Sequence, residues 1–503
     1  MGAFTLLDYA IVGVYIVASL LIGLRFAGKQ KTVDDYFVAD RSARWWAVAI
    51  SAIATGLSAI SYLGVPAWVF QNDLQLNVVV FLLPLVMLVV IYLFVPLLVR
   101  LRLTTIYEYL ERRFNLAVRT FASALFLFLR GGWLATAIYT QSILLVEITG
   151  IPMWACVGVV GVLTAFYTIL GGMEAVLWTD VMQFFVLVGG LIAVLAAVLL
   201  SFGGDVGQIW SLAAAGGHTR AVNLDFSLVQ ITLWGIVLNY LVEGVATYGS
   251  DQVMVQRFLT SRSPAEMRRS VMFTGLLTVP VVILLAVVGL SLVAYYKVHP
   301  ELDATLPKAD RVMPHFVANV LPPGLSGLVI AGVFAATMST LSAGFNSLAT
   351  ATVIDFIQRF RRTAPVNPRA DVTMARWVTF AWAAASTVAA LWVGRLGSIV
   401  EIFGKINGFF AGPILGVFLL GILTRRAGGG AAMIGLVGGT AFTWWVTTTQ
   451  TSWLWYSPAG CFSTVFIGYV AGLILPASTK PSVMAGAVEP HGFEVAPAKA
   501  PSH

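Results

Sequence analysis

Apolar runs long enough to cross a bilayer recur thirteen times along the chain, centred near residues 16, 57, 88, 134, 162, 188, 240, 283, 340, 383, 410, 439 and 465. A span needs roughly 20 apolar residues, because the hydrocarbon core is about 30 Å thick and a helix rises about 1.5 Å per residue. Lipid offers nothing to unpaired backbone groups, so such runs fold as helices. With 59% hydrophobic and 11% charged residues and a mean hydropathy of +0.88, the 503 residues leave no room for a large soluble domain. The expected fold is therefore an all-α polytopic membrane protein in a plasma membrane. A single transmembrane domain is expected over residues 1–476, and a disordered Pro- and Ala-rich tail over 477–503. The run Leu6–Phe26 is too long for a signal-peptide core, has no basic region before it, and is read as a true span.

Charge placement orients the chain. With thirteen spans and an outside N-terminus, 23 of the 30 Lys and Arg fall inside, while Arg220, Lys297, Lys308, Arg311 and Arg395 fall outside and Arg130 and Lys405 lie within spans. That asymmetry predicts N-out, C-in. It also makes the net charge of +7 a topology signal, so no nucleic-acid partner is expected. Cys156 and Cys461 sit in apolar runs and read as small buried residues.

Gly324–Gln358 is the most unusual run. Thr337, Ser339, Thr340, Ser342, Asn346 and Ser347 crowd about three turns among small Ala and Gly. Such residues let helices approach closely. At this density they also supply what a hard monovalent cation requires, oxygens to replace its lost waters. Two other runs are interrupted. Gly56, Ser58, Ser61, Gly64 and Pro66 break the second, and Asn239, Glu243, Gly244 and Gly249 break the seventh, after which residues 249–270 return as an inside loop. Broken helices in positions two and seven, each opening a block of five, predict inverted repeats over about 45–203 and 228–422 with a binding site between them. Residues 167–183 are expected to form a short inside hairpin.

Ionisable groups inside spans are expensive and default to functional roles. Asp180 either snorkels to the inner interface or serves an ion. Arg130 either pairs with an acid such as Glu243 or holds a carboxylate substrate in its fork. Glu243 is that partner or a proton site, and Lys405 snorkels or reaches a solute. The five His lie in loops or the tail, and neither a nucleotide-binding loop nor a hydrolase motif is present, so no enzyme activity is expected and a gradient must supply the energy.

Six stretches, DDYFVADRSARWW, TIYEYLERRF, GGMEAVLWTDVMQ, SDQVMVQRFL, AATMSTLSAGFNSLATATVIDF and GPILGVFLLG, occur in an order that resembles the sodium:solute symporters, the family of the sodium–glucose, sodium–sialic acid, sodium–monocarboxylate and multivitamin carriers. The similarity runs from about Asp8 to Ala471. It implies a LeuT-like core, with spans 1, 12 and 13 peripheral and Na+ as the coupling ion. It also implies a main sodium site on the carbonyls of Ala54, Leu57 and Ala336 and the side chains of Ser339 and Thr340. Asp180, Ser339 and Ser342 match a second sodium site of some members, but Gly56 and Ala343 lack its other hydroxyls, so one sodium per solute is expected. Ser58 and Ser61 match solute-binding hydroxyls. Trp133 stands where the sialate carriers have an arginine, with Arg130 one turn earlier. Thr247 stands at a gating tyrosine of the glucose carriers, beside Tyr248, and Val79, Val80 and Gly244 replace sugar contacts. The resemblance thus implies sodium-coupled symport, by a single chain in the lipid bilayer, of a small organic solute, an organic anion of the monocarboxylate, vitamin or sialate kind. A sugar or amino-acid cargo, proton coupling through Asp180 or Glu243, and a sensor without net flux are the alternatives.

Overall fold

The computed structural model describes residues 5–26, 33–101, 103–304, 306, 308–360, 368–395 and 399–476. The tail at 477–503 and residues 29–32 of the first inside loop lie outside them. Among the described residues the chain is helical, with no strand beyond an isolated bridge between Ala43 and Ser261. The principal helices are α1 (Leu6–Phe26), α2 (Trp45–Gly56), α3 (Ala59–Gln71), α4 (Leu83–Leu93), α5 (Leu116–Thr149), α6 (Met153–Ser201), α7 (Leu233–Val245), α8 (Gln252–Leu259), α9 (Pro264–Val298), α10 (Leu325–Ala351), α11 (Pro368–Val393), α12 (Ile399–Leu423), α13 (Gly429–Thr447) and α14 (Tyr456–Ile474).

A helix stands at twelve of the thirteen centres, and the other, near residue 57, falls on a short break between two helices. Among the described residues nine are long and apolar enough to cross a bilayer, and the pair α2 and α3, bent by 56° across a short break, adds a tenth. The remaining centres fall on Met153–Phe166 in the first half of α6, on α7 and on α11, which are shorter or less apolar. Within the hairpin expected at 167–183, Gly172 separates two helical segments, so that α6 is two helices joined across a kink. Gly172 takes φ 60°, ψ −165°, a region open only to glycine, and helix resumes at once.

The second span breaks where the sequence suggested. Helix α2 ends at Gly56, Leu57 leaves helical geometry, and Ser58 restarts the chain as α3, its Oγ accepting the Ile60 N–H at 3.1 Å. Pro66, six residues on, is carried inside α3. The seventh span breaks around Gly249, the last of its four expected interrupters. Asn239, Glu243 and Gly244 lie in regular helix, and the interruption is a wide turn over Ala246–Ser250 followed by extended Asp251. The physical reason is lateral. Gly244 lies against Val86 of α4, and Glu243 is met by Ser457 of α14, so neither disturbs the backbone ladder.

Nor is 249–270 a plain loop. Residues Gln252 to Leu259 form α8, buried along its whole length. Its polar residues find partners from several elements, so its alternation of polar and apolar residues does not mark an exposed face.

Helix α10 is buried almost throughout and packs along α6, with α1 laid over both. Its N-terminus is held by α1. Asp8 Oδ1 accepts the N–H groups of Gly324 (2.8 Å) and Gly327 (2.7 Å), and Oδ2 accepts both the N–H and hydroxyl of Thr5. Gly327 permits this approach, since a Cβ there would stand 2.7 Å from Asp8 Cα. Asp8 therefore caps a helix 316 residues away in sequence. Replacing it with Ala leaves the N–H groups of half-buried Gly324 and buried Gly327 unmet and is expected to remove about 1–2 kcal/mol of stability, read as a lower melting temperature of the purified protein, with Asp8→Asn milder.

Candidate functional site

The end of α2 leaves carbonyls that no later N–H of the same helix can meet. Two hydroxyls from α10 reach them. Ser339 Oγ donates to Ala54 O at 2.9 Å, and Thr340 Oγ1 donates to Thr55 O at 3.0 Å. Each hydroxyl also lies near the Ala336 carbonyl of its own helix, at 3.1 and 3.0 Å. Adjacent positions on α10 thus place two hydroxyl and three carbonyl oxygens in one buried knot, of which Ala54, Ala336, Ser339 and Thr340 belong to the set read from the sequence. Thr55 was missed, because only the fold shows which carbonyl each hydroxyl meets. Leu57 lies in the break itself, its N–H bonded to Ile53 O at 2.9 Å.

This chemistry suits a hard monovalent cation. It is neutral oxygen throughout, and among the described residues no group of three or more His, Cys, Asp or Glu could hold a metal ion. Gly56 faces the other interrupted span, with Tyr248 Oη 3.8 Å and Met254 Cε 3.5 Å from where its Cβ would stand.

Asp180 does not reach the inner interface. It is fully buried on α6, where Oδ2 accepts from Ser51 Oγ (2.5 Å), Thr55 Oγ1 (3.3 Å) and Arg257 Nη2 (3.0 Å), while Oδ1 has no partner. Arg257 also donates to Ser51 Oγ and to Val253 O, each at 3.0 Å. Ser342 donates to Ser339 O at 3.1 Å, and no hydrogen bond joins it to Asp180.

Arg130 pairs with Asp251, and Glu243 is not its partner. Nε donates to Asp251 Oδ2 at 2.8 Å, and Nη2 makes a second, shorter bond to the same oxygen. The guanidinium stacks on Trp133 with its carbon 3.6 Å from the ring centroid, and Nη1 is buried without a partner. Asp251 Oδ1 meanwhile caps α8 by accepting the Val253 N–H at 2.8 Å. A small cavity beside this pair is lined by Thr247, Ser250, Asp251 and Asn407 with Tyr107 and Phe126. Ser58 is buried and spent on its capping bond, Ser61 is half-buried, and Lys405 is exposed.

The profile of the sodium:solute symporter family matches residues 36–439. The chain belongs to that family. A sodium/sialic acid symporter of Aliivibrio fischeri is 29% identical over 474 residues, 93% of each chain. A sodium-dependent multivitamin transporter of Oryctolagus cuniculus is 32% identical over 453 residues, 88% of this chain and 71% of the relative. A solved structure, the substrate-bound outward-open state of a Na+-coupled sialic acid symporter, superimposes with a TM-score of 0.88 at 28% identity, covering 94% of this chain and 99% of the other. The fold is accordingly LeuT-like, and the protein is a multi-pass plasma-membrane symporter with sodium as its coupling ion.

Asp180 and Arg257 generate a direct test. Losing one member of a buried pair strands the other charge, so Asp180→Asn and Arg257→Gln should each destabilise the protein by about 3–5 kcal/mol. The double variant should lose less than the sum of the two, as read by thermal unfolding; additive losses would show that the pair does not interact.

Proposed function

We propose that this symporter imports a small organic anion and that sodium binds at Ala54, Leu57, Ala336, Ser339 and Thr340, with Thr55 as a further carbonyl. The observation that carries the reading is the pair of bonds from adjacent α10 hydroxyls to the last carbonyls of α2. Each bond joins two oxygens that a sodium ion between the helices could share, so the ion would replace hydroxyl protons as the link across the break. Sodium would thereby order the end of α2 and the start of α3, where Ser58 and Ser61 lie. The paired breaks support reading the helices from α2 to α6 and from α7 to α12 as the two inverted repeats.

The anion reading is supported by two features. Relatives of this chain are named for sialic acid and multivitamin transport. In the chain itself Arg130 is stacked on Trp133 with Nη1 unspent, on α5 beside the Ala246–Ser250 turn and its Thr247. A carboxylate reaching that nitrogen would compete with Asp251 for the guanidinium fork. Asp180 is a weaker ion ligand than its sequence position suggests, because Arg257 already neutralises it. That supports one sodium per solute.

Uptake into proteoliposomes tests both parts. Under an inward sodium gradient, radiolabelled monocarboxylates, pantothenate and sialate should include at least one solute that accumulates, and the gradient should be required. Ser339→Ala with Thr340→Ala should raise the sodium concentration for half-maximal uptake at least tenfold, equivalent to about 1.4 kcal/mol. Accumulation of a sugar or amino acid while all three anion classes fail would overturn the substrate class, and an unchanged sodium dependence would overturn the site.

A further inference from the structure

Three acids buried among the spans each have an arginine: Asp180 with Arg257, Asp251 with Arg130, and Asp355 with Arg119. A fourth, Asp8, faces the N-terminus of α10. Glu243, near the end of α7, has neither. Among the described residues no Lys, Arg or His stands within ion-pair distance of it.

What surrounds Glu243 is oxygen-bearing. Ser457 Oγ, at the start of α14 and fully buried, donates to Oε1 at 3.3 Å. Asn239, one turn earlier on the same helix, sets its side chain against the carboxylate. Asn239 is only 6% exposed, and its Oδ1 has no hydrogen-bond partner. The floor of the site is close-packed backbone, since Gly412 of α12 lies directly against the Ser457 carbonyl.

The elements packed on α7 are α4, α12, α14, the helix Gln75–Val78 and the short turns Val79–Leu82, Ala246–Ser250 and Trp453–Trp455. Their ionisable groups are few. Helix α4 carries Tyr92, α12 carries Glu401 and the exposed Lys405, α14 carries Tyr456, Cys461 and Tyr469, the Ala246–Ser250 turn carries Tyr248, and α7 itself carries Tyr240. None of these brings a formal positive charge to the carboxylate.

An ionised carboxylate at this depth without a countercharge costs several kcal/mol, and the Asn239 amide oxygen is a further buried acceptor with nothing to accept from. One monovalent cation answers both. We propose that Glu243, Asn239 Oδ1 and the Ser457 hydroxyl form a second monovalent-cation site, for a proton or a sodium ion, separate from the knot between α2 and α10. Two of its three ligands ride on α7 and one on α14. Binding there fastens the interrupted seventh span to the C-terminal helices, and release frees it. The cation site does not depend on where the main sodium ion binds.

An apolar carbodiimide tests this on the full-length protein, because it modifies a carboxyl group in apolar surroundings and the adduct is read by peptide mass. The peptide carrying Glu243 should be labelled in sodium-free buffer at about pH 6, and Glu243→Gln should abolish that adduct. If the ion is sodium, added Na+ should slow labelling about tenfold or more at fixed pH. If it is a proton, labelling should fall steeply between about pH 6 and pH 9 and ignore Na+. Either dependence, retained in the Ser339→Ala/Thr340→Ala variant, supports the second site independently of the first. Labelling indifferent to both Na+ and pH, absence of label at Glu243 under every condition, or protection that disappears with Ser339 and Thr340, overturns it.

Discussion

A helix broken at the depth of the hydrocarbon core exposes carbonyl oxygens that bulk water does not reach, and this fold is arranged around answering them. At the end of α2 the answer comes from Ser339 and Thr340, so α10 must pass close beside the break. Close passage needs small residues. Ala335, Ala336, Ala343 and Gly344 supply them, and Gly344 lies against Leu134 of α5. It also needs α10 fixed along its axis, which the Asp8 cap from α1 provides at the far end. The first helix, largely exposed along its outer face, is thereby tied to the helix that carries Ser339 and Thr340.

Charge burial sets the second constraint, and arginine meets it. Arg119, Arg130 and Arg257 each reach an aspartate from a different part of the chain, and the planar fork lets one guanidinium serve several acceptors. Arg119 bonds Asp355 and Glu111, while Thr105 and Ser123 add hydroxyls to Asp355 at 2.6 and 2.7 Å. The other two pairs flank α8, Asp251 at its N-cap and Arg257 near its end. Between them Gln252 bonds the 104–106 backbone, and Gln256 bonds Phe37 O, Thr350 and Ser347. Every polar residue from Asp251 to Arg257 is committed to a different neighbour. Helix α8 is therefore held from several elements at once, and moving it requires several of these bonds to exchange partners together.

Much of this architecture was legible in the chain, and its failures have physical causes. Span positions follow from hydropathy because lipid imposes a minimum length. The break after Gly56 was visible because glycine, serine and proline cluster within eleven residues. The break in the seventh span was read too broadly, taking in Asn239 and Glu243 as well as Gly249, because polar residues in a helix look like interruptions unless their lateral partners are known. Helix α8 was hidden for the converse reason. QVMVQRFL carries polar residues at an ordinary density for a loop, and only their long-range partners reveal it as buried. Arg130 was correctly suspected of pairing, but its acid lies 121 residues on in a motif read as loop, and no spacing rule reaches that far. For Asp180 the interface stayed open as an alternative because its arginine belongs to the same overlooked helix.

One residue connects the two constraints. The Thr55 carbonyl accepts Thr340 at the α2 break, and the Thr55 hydroxyl donates to Asp180, which Arg257 of α8 holds. Ser51, one turn earlier on α2, binds both Asp180 and Arg257. A cation that reorganises the carbonyls of Ala54 and Thr55 therefore acts on the helix end that carries Asp180's hydroxyl partners, and through them on α8. Such a route is local at every step, with contacts of 3.3 Å or less, and needs no displacement of a whole helix to transmit a change of state. If sodium binds at the break as proposed, this gives a physical basis for coupling in which the ion alters how firmly α8 is held rather than pushing it aside.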